Sequence, residues 1–500
     1  MEKKKEILVI VGSLLVIILS VTLAYFTVQI IGKGKEISLD SANLKITFAS
    51  GGGNISSTNI EPGWSSGAST FTVKNESKDT YKYNIIIKDL INTFVTKGFL
   101  LYKITSTDGG YNMSDFVDVP KSSTATDTIL AYSVEIAKGV THTYTVEFKY
   151  LTSEEDQSDD MGRILSGTLY IEKGTDKPLT LAEKILENKT IVTTPRGGAY
   201  NTVFTTDTTG TLFQTTESIA GAAAKIVYYF AGAPKDNWVK FAGFYWRIIR
   251  TNHDGSVRLL YSGTATNTTS GYIGKSAFNS SYNSPKYVGY MYGTDGSLSE
   301  SRTNTNDSTI KGVIDTWYSN NLSSYSKYIS TEAVYCNDRQ LDSGQTWSTS
   351  SSFNYITYTR LGWDGDGANA NPTYNCANIK DAFSGSNSEA KLTYPIGLMT
   401  ADEINIAGGL AYNNAPAYYY LNSAGGSVTG STYWWLLSPG VWSGDYSSVW
   451  YVGAPGFLFI NYVNNEGGVR PAISLKTCAL WTSGDGTPDA PYEISTTSGC

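Results

Sequence analysis

At 500 residues the chain exceeds what one hydrophobic core usually serves, so two or more domains are expected. A formal net charge of −7 with no Lys/Arg stripe excludes a nucleic-acid partner, and 41% hydrophobic against 17% charged residues excludes charge-driven disorder. Two histidines, His142 and His253, and the absence of HExxH, CxxC and Walker patterns leave little material for a resident metal or an acid/base catalyst, so no enzymatic activity and no cofactor are expected.

The N-terminus MEKKKE precedes an apolar run from Ile7 to Ile31, and about 20 such residues cross a bilayer as a helix. Lys3, Lys4 and Lys5 place the N-terminus in the cytoplasm and the bulk of the chain outside the cell. Residues 1–35 are therefore expected to be a cytoplasmic stub with a single-pass transmembrane anchor or signal. Thr22, Leu23 and Ala24 form a small-x-small processing site, and cleavage near Ala24 would release a secreted form. The run is longer than a signal core of roughly 7 to 15 residues, which favours a retained anchor.

Residues 36–173 read as strand after strand. LKITFA, STFTVKN, YKYNIIIKDL, HTYTVEFKYL and GTLYIEK alternate apolar and polar residues or run β-branched and aromatic, with Gly, Asn, Asp and Ser between them. The spacing predicts a β-sandwich, with two strands paired around the turn Glu61-Pro62-Gly63, and His142 on its wet face. The AYF after the hydrophobic run, a short strand, and the EPG turn before FTVKN resemble the camelysin/TasA group of exported bacterial jelly-roll proteins. That resemblance implies an all-β jelly roll and, for some members, self-assembly into fibres. One member has been described as a metallopeptidase, but this region holds no HExxH, so peptidase activity is not carried over.

Residues 174–219 change character: a Pro/Gly stretch, the amphipathic segment LAEKILENK with Leu181, Ile185 and Leu186 on one side, then a polar turn-rich tract. A linker with a short helix is expected. From residue 220 to 500 strands and helices mix. KIVYYFAG, NWVKFAGFYWRIIRTN and SVRLLYSG predict a three-stranded meander with His253-Asp254-Gly255 as a turn. STIKGVIDTWYSNNL predicts a helix capped by Ser308, and TADEINIAGG a helix with a Thr400/Glu403 capping box ended by Gly408. The region is expected to be an α+β domain. Its four cysteines, Cys336, Cys376, Cys478 and Cys500, suggest two disulfides, most simply sequential, although sequence leaves three connectivities open.

Six motifs in fixed order, NWVKFAGFYWRIIR, CNDR, YPIGLMTADE, YWWLLSPG, GGVRPAISL and GDGTPDAPYEI, resemble a family of large surface proteins of Gram-positive bacteria. The C-terminal module of that family is similar to the formylglycine-generating-enzyme variant of the C-type lectin fold. The resemblance implies a lectin-like domain. Catalysis is not carried over, because Cys478 and Cys500 lie beyond GGVRPAISL with no thiolate-activating neighbourhood. The same fold carries the variable proteins of diversity-generating retroelements, whose diversified segment corresponds to residues 434–470 of this chain.

That segment contains WWLLSPGVWSGDYSSVWYV, rich in rings, Ser, Gly and Asn, a composition suited to a paratope. Alternation assigns Val449, Tyr451, Leu458 and Ile460 to one face and Trp450, Phe457, Phe459 and Asn461 to the other. Trp442, Asp445, Tyr446, Ser447, Trp450, Phe457, Phe459 and Asn461 are the expected ligand contacts, with Trp434, Trp435, Leu436 and Leu437 as core. Asp364 and Asp366 in WDGDGANANP are a candidate Ca²⁺ pair, but the loop lacks the terminal Glu and spacing of a calcium loop, so a solvated loop is expected. Arg470 is expected to form a structural ion pair or to hold an acidic ligand.

The function these readings favour is a membrane-anchored surface adhesin or receptor that binds an extracellular protein or glycan through its aromatic C-terminal head. Two rivals stand beside it. One is a fibre-forming structural protein processed near Ala24 and assembling through its sandwich. The other is a surface-modifying enzyme or hydrolase that uses two of Asp364, Asp366, Asp402, Glu403 and Asp445.

Overall fold

Strands, several of them alternating buried and more exposed positions, build the first of two units, which spans residues 1–177, the second being 178–500. The computed structural model describes residues 62–154, 156–187, 189–363, 367–415, 418–421 and 429–500, together with the backbone of four short strands before residue 58. Those four are Val28–Ile31, Ile37–Leu39, Leu44–Phe48 and Asn54–Ser57. One sheet of the first unit runs in the order Asn54–Ser57, Val28–Ile31, Leu165–Lys173, Tyr81–Asn92, Ser122–Ile136. The other runs Ile37–Leu39, Leu44–Phe48, Ser69–Asn75, Thr141–Tyr150, Leu100–Ser106, Val117–Asp118. Side chains at every second position, among them Val73, Ile85, Ile104, Val146 and Ile171, meet in one core, which makes the unit sandwich-like.

Three expectations for this region change. Val28–Ile31, the end of the apolar run, is a strand parallel to Leu165–Lys173, so the sandwich begins before residue 36. The earlier part of that run, residues 7–27, lies outside the described residues, and among the described residues no helix is long and apolar enough to cross a membrane. Leu44–Phe48 does pair with Ser69–Asn75, but the connection passes through Asn54–Ser57 in the opposite sheet rather than forming a simple hairpin around Gly63. His142 is buried, not wet: it shares its row with Tyr144, Val146, Phe148 and Tyr150, and its Nδ1 lies 2.9 Å from the Tyr83 hydroxyl.

In the second unit the expected linker is part of the fold from residue 178 onward. Helix Leu181–Leu186 is closed by a capping box between Thr180 and Glu183, and Leu181 and Ile185 enter the main core. Backbone bonds from Leu181 to the Ala479 carbonyl and from Trp481 to the Leu179 carbonyl fasten it to the C-terminal segment. Burial of two aliphatic side chains against distant strands, invisible in the polar local sequence, is what turns this tract into structure.

The expected meander contains an extra turn. Trp238–Phe241 and Phe244–Thr251 form a hairpin of their own, with Ala242 at φ +53° and Gly243 at φ +82°, the two left-handed residues a tight hairpin needs. Phe244–Thr251 then pairs with Val257–Tyr261 across the turn that holds His253. These strands belong to a ten-stranded sheet that includes Pro471–Leu475 and Tyr492–Ile494. Helix Thr309–Asn321 is capped by Ser308, and helix Ala401–Ala407 by the Thr400/Glu403 box with Gly408 at its end. The two disulfides are sequential, Cys336 with Cys376 and Cys478 with Cys500.

A second sheet, in the order Lys275–Ala277, Glu466–Gly468, Trp434–Trp442, Ser447–Val452, Leu458–Tyr462, carries the aromatic segment. Phe353–Asn354 pairs with Trp434–Trp442.

Candidate ligand-binding surface

Five residues separate Val452 from Leu458, and an odd loop pairs odd positions with odd. The register is therefore Trp450 with Ile460, Tyr451 with Phe459, and Val449 with Asn461. This reverses part of the expected face assignment: Tyr451 shares a face with Phe459 and Asn461, while Trp450 joins Ile460 on the other.

The eight expected contact residues divide accordingly. Trp442, Ser447 and Trp450 are at most 1% exposed and belong to the interior, as do Trp434, Trp435, Leu436 and Leu437. The Ser447 hydroxyl donates to the Ser284 carbonyl at 2.6 Å, which anchors the strand. Phe457, Phe459 and Asn461 are partly exposed, and Asp445 and Tyr446 are exposed. Side chains of Trp442 and Trp450 cannot meet a ligand: Trp450 alternates into the core, and Trp442 belongs to a bulged strand buried at nearly every position.

Phe459 and Phe457 belong to a longer strip. Trp363 lies 4.1 Å from Tyr412 and 4.8 Å from Phe459, ring centre to ring centre. Phe459 continues to Tyr451 at 6.0 Å, and Tyr451 to Tyr433 at 4.8 Å. All these rings are partly or largely exposed. Beneath the strip Trp363 packs edge-on against buried Trp450 at 5.4 Å, so the outer rings rest on inner ones. Burial pushes the Tyr433 hydroxyl up to about 12, an amide hydrogen bond from Asn461 partly opposing it. The Asn461 carbonyl oxygen accepts from the Tyr462 backbone and from the Asn465 amide, which fixes the polar group at one end of the strip.

Tyr412 stands apart in its backbone. It sits at φ +60°, a region disfavoured for a bulky side chain by about 1 kcal/mol or more, and leaves 42% of its surface exposed.

A separate stack of tyrosines includes the exposed Tyr446. Its ring lies 4.9 Å from Tyr282, nearly parallel, and 4.7 Å from Tyr462. Asp445 adjoins it in a loop closed by a hydrogen bond from Tyr446 to the Ser443 hydroxyl.

Ionisable groups gather elsewhere. Glu403 accepts from Arg250 at 2.9 Å and Arg258 at 2.8 Å, and Arg250 also bonds Glu217. Asp402 is clamped by Arg360 through two bonds of 2.8 Å. Burial works against ionising Glu403, but Arg258 and Arg250 outweigh it and hold the carboxyl below its ordinary value. Glu217 is held down to about 2: burial opposes this, and Arg250 and His253 prevail. Asp402 and Glu403 line one cavity of about 20 Å³, room for a single water, and both are engaged by guanidinium groups.

Arg470 forms neither the ion pair nor the surface site expected of it. It is fully buried, donates to the carbonyls of Tyr261 and Tyr420, and lies 4.6 Å over the Trp434 ring, while burial lowers it to about 9. Asp364 and Asp366 lie outside the described residues, and among the described residues no three His, Cys, Asp or Glu side chains are arranged to hold a metal.

Sequence reasoning missed Trp363, Tyr412, Tyr433 and Tyr451 as members of the strip. No local signal marks them, since Phe459 meets Trp363 and Tyr412 only through the fold.

Residues 378–477 match the family described as "Domain of unknown function (DUF6273)", one fifth of the chain, which contains the capping box of Thr400 and most of the strip. No curated protein and no solved structure matches the chain.

Proposed function

We propose that the chain is a surface adhesin or receptor whose second unit, a lectin-like head, binds an extracellular protein or glycan along the strip from Trp363 and Tyr412 through Phe459 to Tyr451 and Tyr433. The observation that carries this reading is Tyr412, a residue with 42% of its surface exposed and kept in a strained backbone conformation against Trp363 and Phe459. Strain retained where burial gains little is expected at recognition sites. Partly exposed rings offer broad, rigid contact at small entropic cost, and Asn461 adds a directional polar group.

In this reading the first unit is a jelly-roll stalk and the apolar sequence from Ile7 to residue 27 anchors the chain in the membrane. Those 21 residues still meet the roughly 20 needed to cross a bilayer once Val28–Ile31 is given to the sandwich. The ligand contacts become Phe457, Phe459 and Asn461 together with the four added rings, with Asp445 and Tyr446 as a secondary patch.

The test is binding of the full chain to cells and to a glycan array, with Tyr412→Asn and Phe459→Ser as variants. Each should weaken binding by about tenfold or more, the loss expected when a central aromatic contact is removed. Unchanged binding by both variants overturns the assignment of the strip.

A further inference from the structure

A groove of about 320 Å³ opens in the second unit and shares no residue with the strip. Its volume is at the lower end of the range for small-ligand sites. One wall is apolar, built from Ile219, Val334, Ile379 and Ala382, and Ile379 leaves 41% of its surface uncovered. That wall is firm. Val334 and Ala382 pack with Cys376 in a small core of their own, Cys336 pairs with Ala382 in a strand ladder, and the Cys336–Cys376 bond ties the two segments together.

The rest of the lining is polar. The Asn387 amide is spent on the carbonyls of Ile379 and Ala382 and on the Glu389 backbone. The Ser384 and Ser386 hydroxyls lie 3.3 Å apart and bond each other, and Ser384 also accepts from the Asn387 backbone, so the ionisable groups of the lining are His253 and Glu332. His253 has its Nδ1 3.3 Å from a carboxylate oxygen of buried Glu217, whose other oxygen accepts from Arg250 at 2.9 Å. An ionised carboxylate on that side favours the tautomer with the proton on Nδ1, which leaves Nε2 as an acceptor. Glu332 is exposed, and its carboxylate makes no hydrogen bond or ion pair to the described residues.

Two acceptors, one of them a full negative charge, share the groove's lining with the exposed Ile379 and the half-buried Ile219. We infer that this groove binds a protonated amine carried on a short aliphatic stem, the chemistry shared by free alkylamines and by lysine side chains. The ammonium would donate to Glu332 and to His253 Nε2 while its methylenes cover Ile379 and Ile219. The chain's net charge of −7 favours a cationic ligand over its anionic analogue.

The chain has two histidines, so a spectrum of the full chain labelled at histidine Cε1 contains two signals, told apart by a His142→Gln variant. Titration with n-butylammonium near pH 8 should shift the His253 signal saturably with Kd on the order of 1–10 mM and leave His142 in place. Butyrate and butanol should shift it far less. Glu332→Gln, an exposed substitution, should weaken butylammonium by about tenfold, and Ile379→Ser by several-fold, with thermal unfolding unchanged as the folding control. A blocked Ala-Lys-Ala peptide binding as well as butylammonium points to lysine side chains as the natural ligand, and weaker peptide binding to free amines; both support the site. No saturable shift up to about 100 mM, equal response to butyrate, or full affinity in Glu332→Gln overturns it.

Discussion

Trp450→Ala and Tyr412→Asn should separate packing from recognition in the aromatic segment. Trp450 is completely buried, its ring against Trp363 and its backbone opposite Ile460. Its indole nitrogen has no hydrogen-bond partner among the described residues, so truncation removes apolar contact and leaves a void without stranding a described polar group. Loss of such a side chain costs about 3–5 kcal/mol, a large share of the roughly 5–15 kcal/mol that holds a domain folded. Tyr412→Asn balances two small effects. The ring contacts with Trp363 and Phe459 are worth about 1 kcal/mol, and relief of the left-handed backbone, which Asn tolerates, returns about as much. Urea unfolding of the full chain followed by tryptophan fluorescence suits the comparison, because of the 11 tryptophans all but Trp64 lie beyond residue 178. Trp450→Ala should lower the stability of the second unit by about 3–5 kcal/mol, and Tyr412→Asn should stay within about 1 kcal/mol of the parent while losing ligand. The reasoning fails if Trp450→Ala unfolds like the parent yet no longer binds, which would place that ring within a ligand's reach.

Glu403→Gln leaves Arg250 and Arg258 buried with a neutral partner and should cost about 3–5 kcal/mol in the same urea assay, against under about 1 kcal/mol for the exposed pair partner in Glu493→Gln. Because the Glu217 carboxyl is held near 2 when folded and near 4.5 when unfolded, its contribution of about 3 kcal/mol is present above pH 4.5 and lost as pH falls toward 2. Urea midpoints across that window should fall less steeply in Glu217→Gln. Burial lowers His142, with Asp108 opposing, so the unfolded chain takes the proton first and the first unit weakens as pH drops below about 6.5; histidine NMR should show His142 titrating below that value. Closing 40 residues, the Cys336–Cys376 bond should stabilise by about 4 kcal/mol, and Cys478–Cys500, closing 22, by about 3 kcal/mol, measured with paired Cys→Ser variants.

Much of the local structure was legible in the chain. The strands at Leu44–Phe48, Thr141–Tyr150 and Leu165–Lys173, the Ser308 cap and the Thr400/Glu403 box follow from alternation and capping chemistry, and the sequential cystines are the simplest of the three connectivities the sequence left open. His142 was legible too, since it shares parity with Tyr144, Val146 and Phe148, but polarity outweighed position in reading it as wet. The Ala242-Gly243 hairpin lacked the Asn-Gly signature that marks such turns. The segment from Pro178 to residue 219 reads as linker because its partners, such as Ala479, lie some 300 residues away. The site was legible only in part. Composition pointed to the segment that carries part of the strip, but composition has no direction. Which rings face outward depended on the five-residue loop between Val452 and Leu458, and the rings that complete the strip arrive from positions 363 and 412.

Packing and the proposed recognition in this segment therefore fall on successive positions of one strand. Trp450 points into the core and Tyr451 into the strip, so the inner row that sets the stability of the sheet also fixes where the outer row stands. Trp363 ties the rows together, meeting Trp450 on the inside and Phe459 on the outside. A binding surface backed this way loses little conformational entropy on contact, because its rings are already held by neighbours. It also separates substitutions by parity. Changes at 457, 459 and 461 should alter what is bound with modest effect on folding, whereas changes at 450 or 452 should act on folding first. A ligand screen in which position 450 governs specificity while 459 is indifferent would show that the register, not the ring chemistry, had been misjudged.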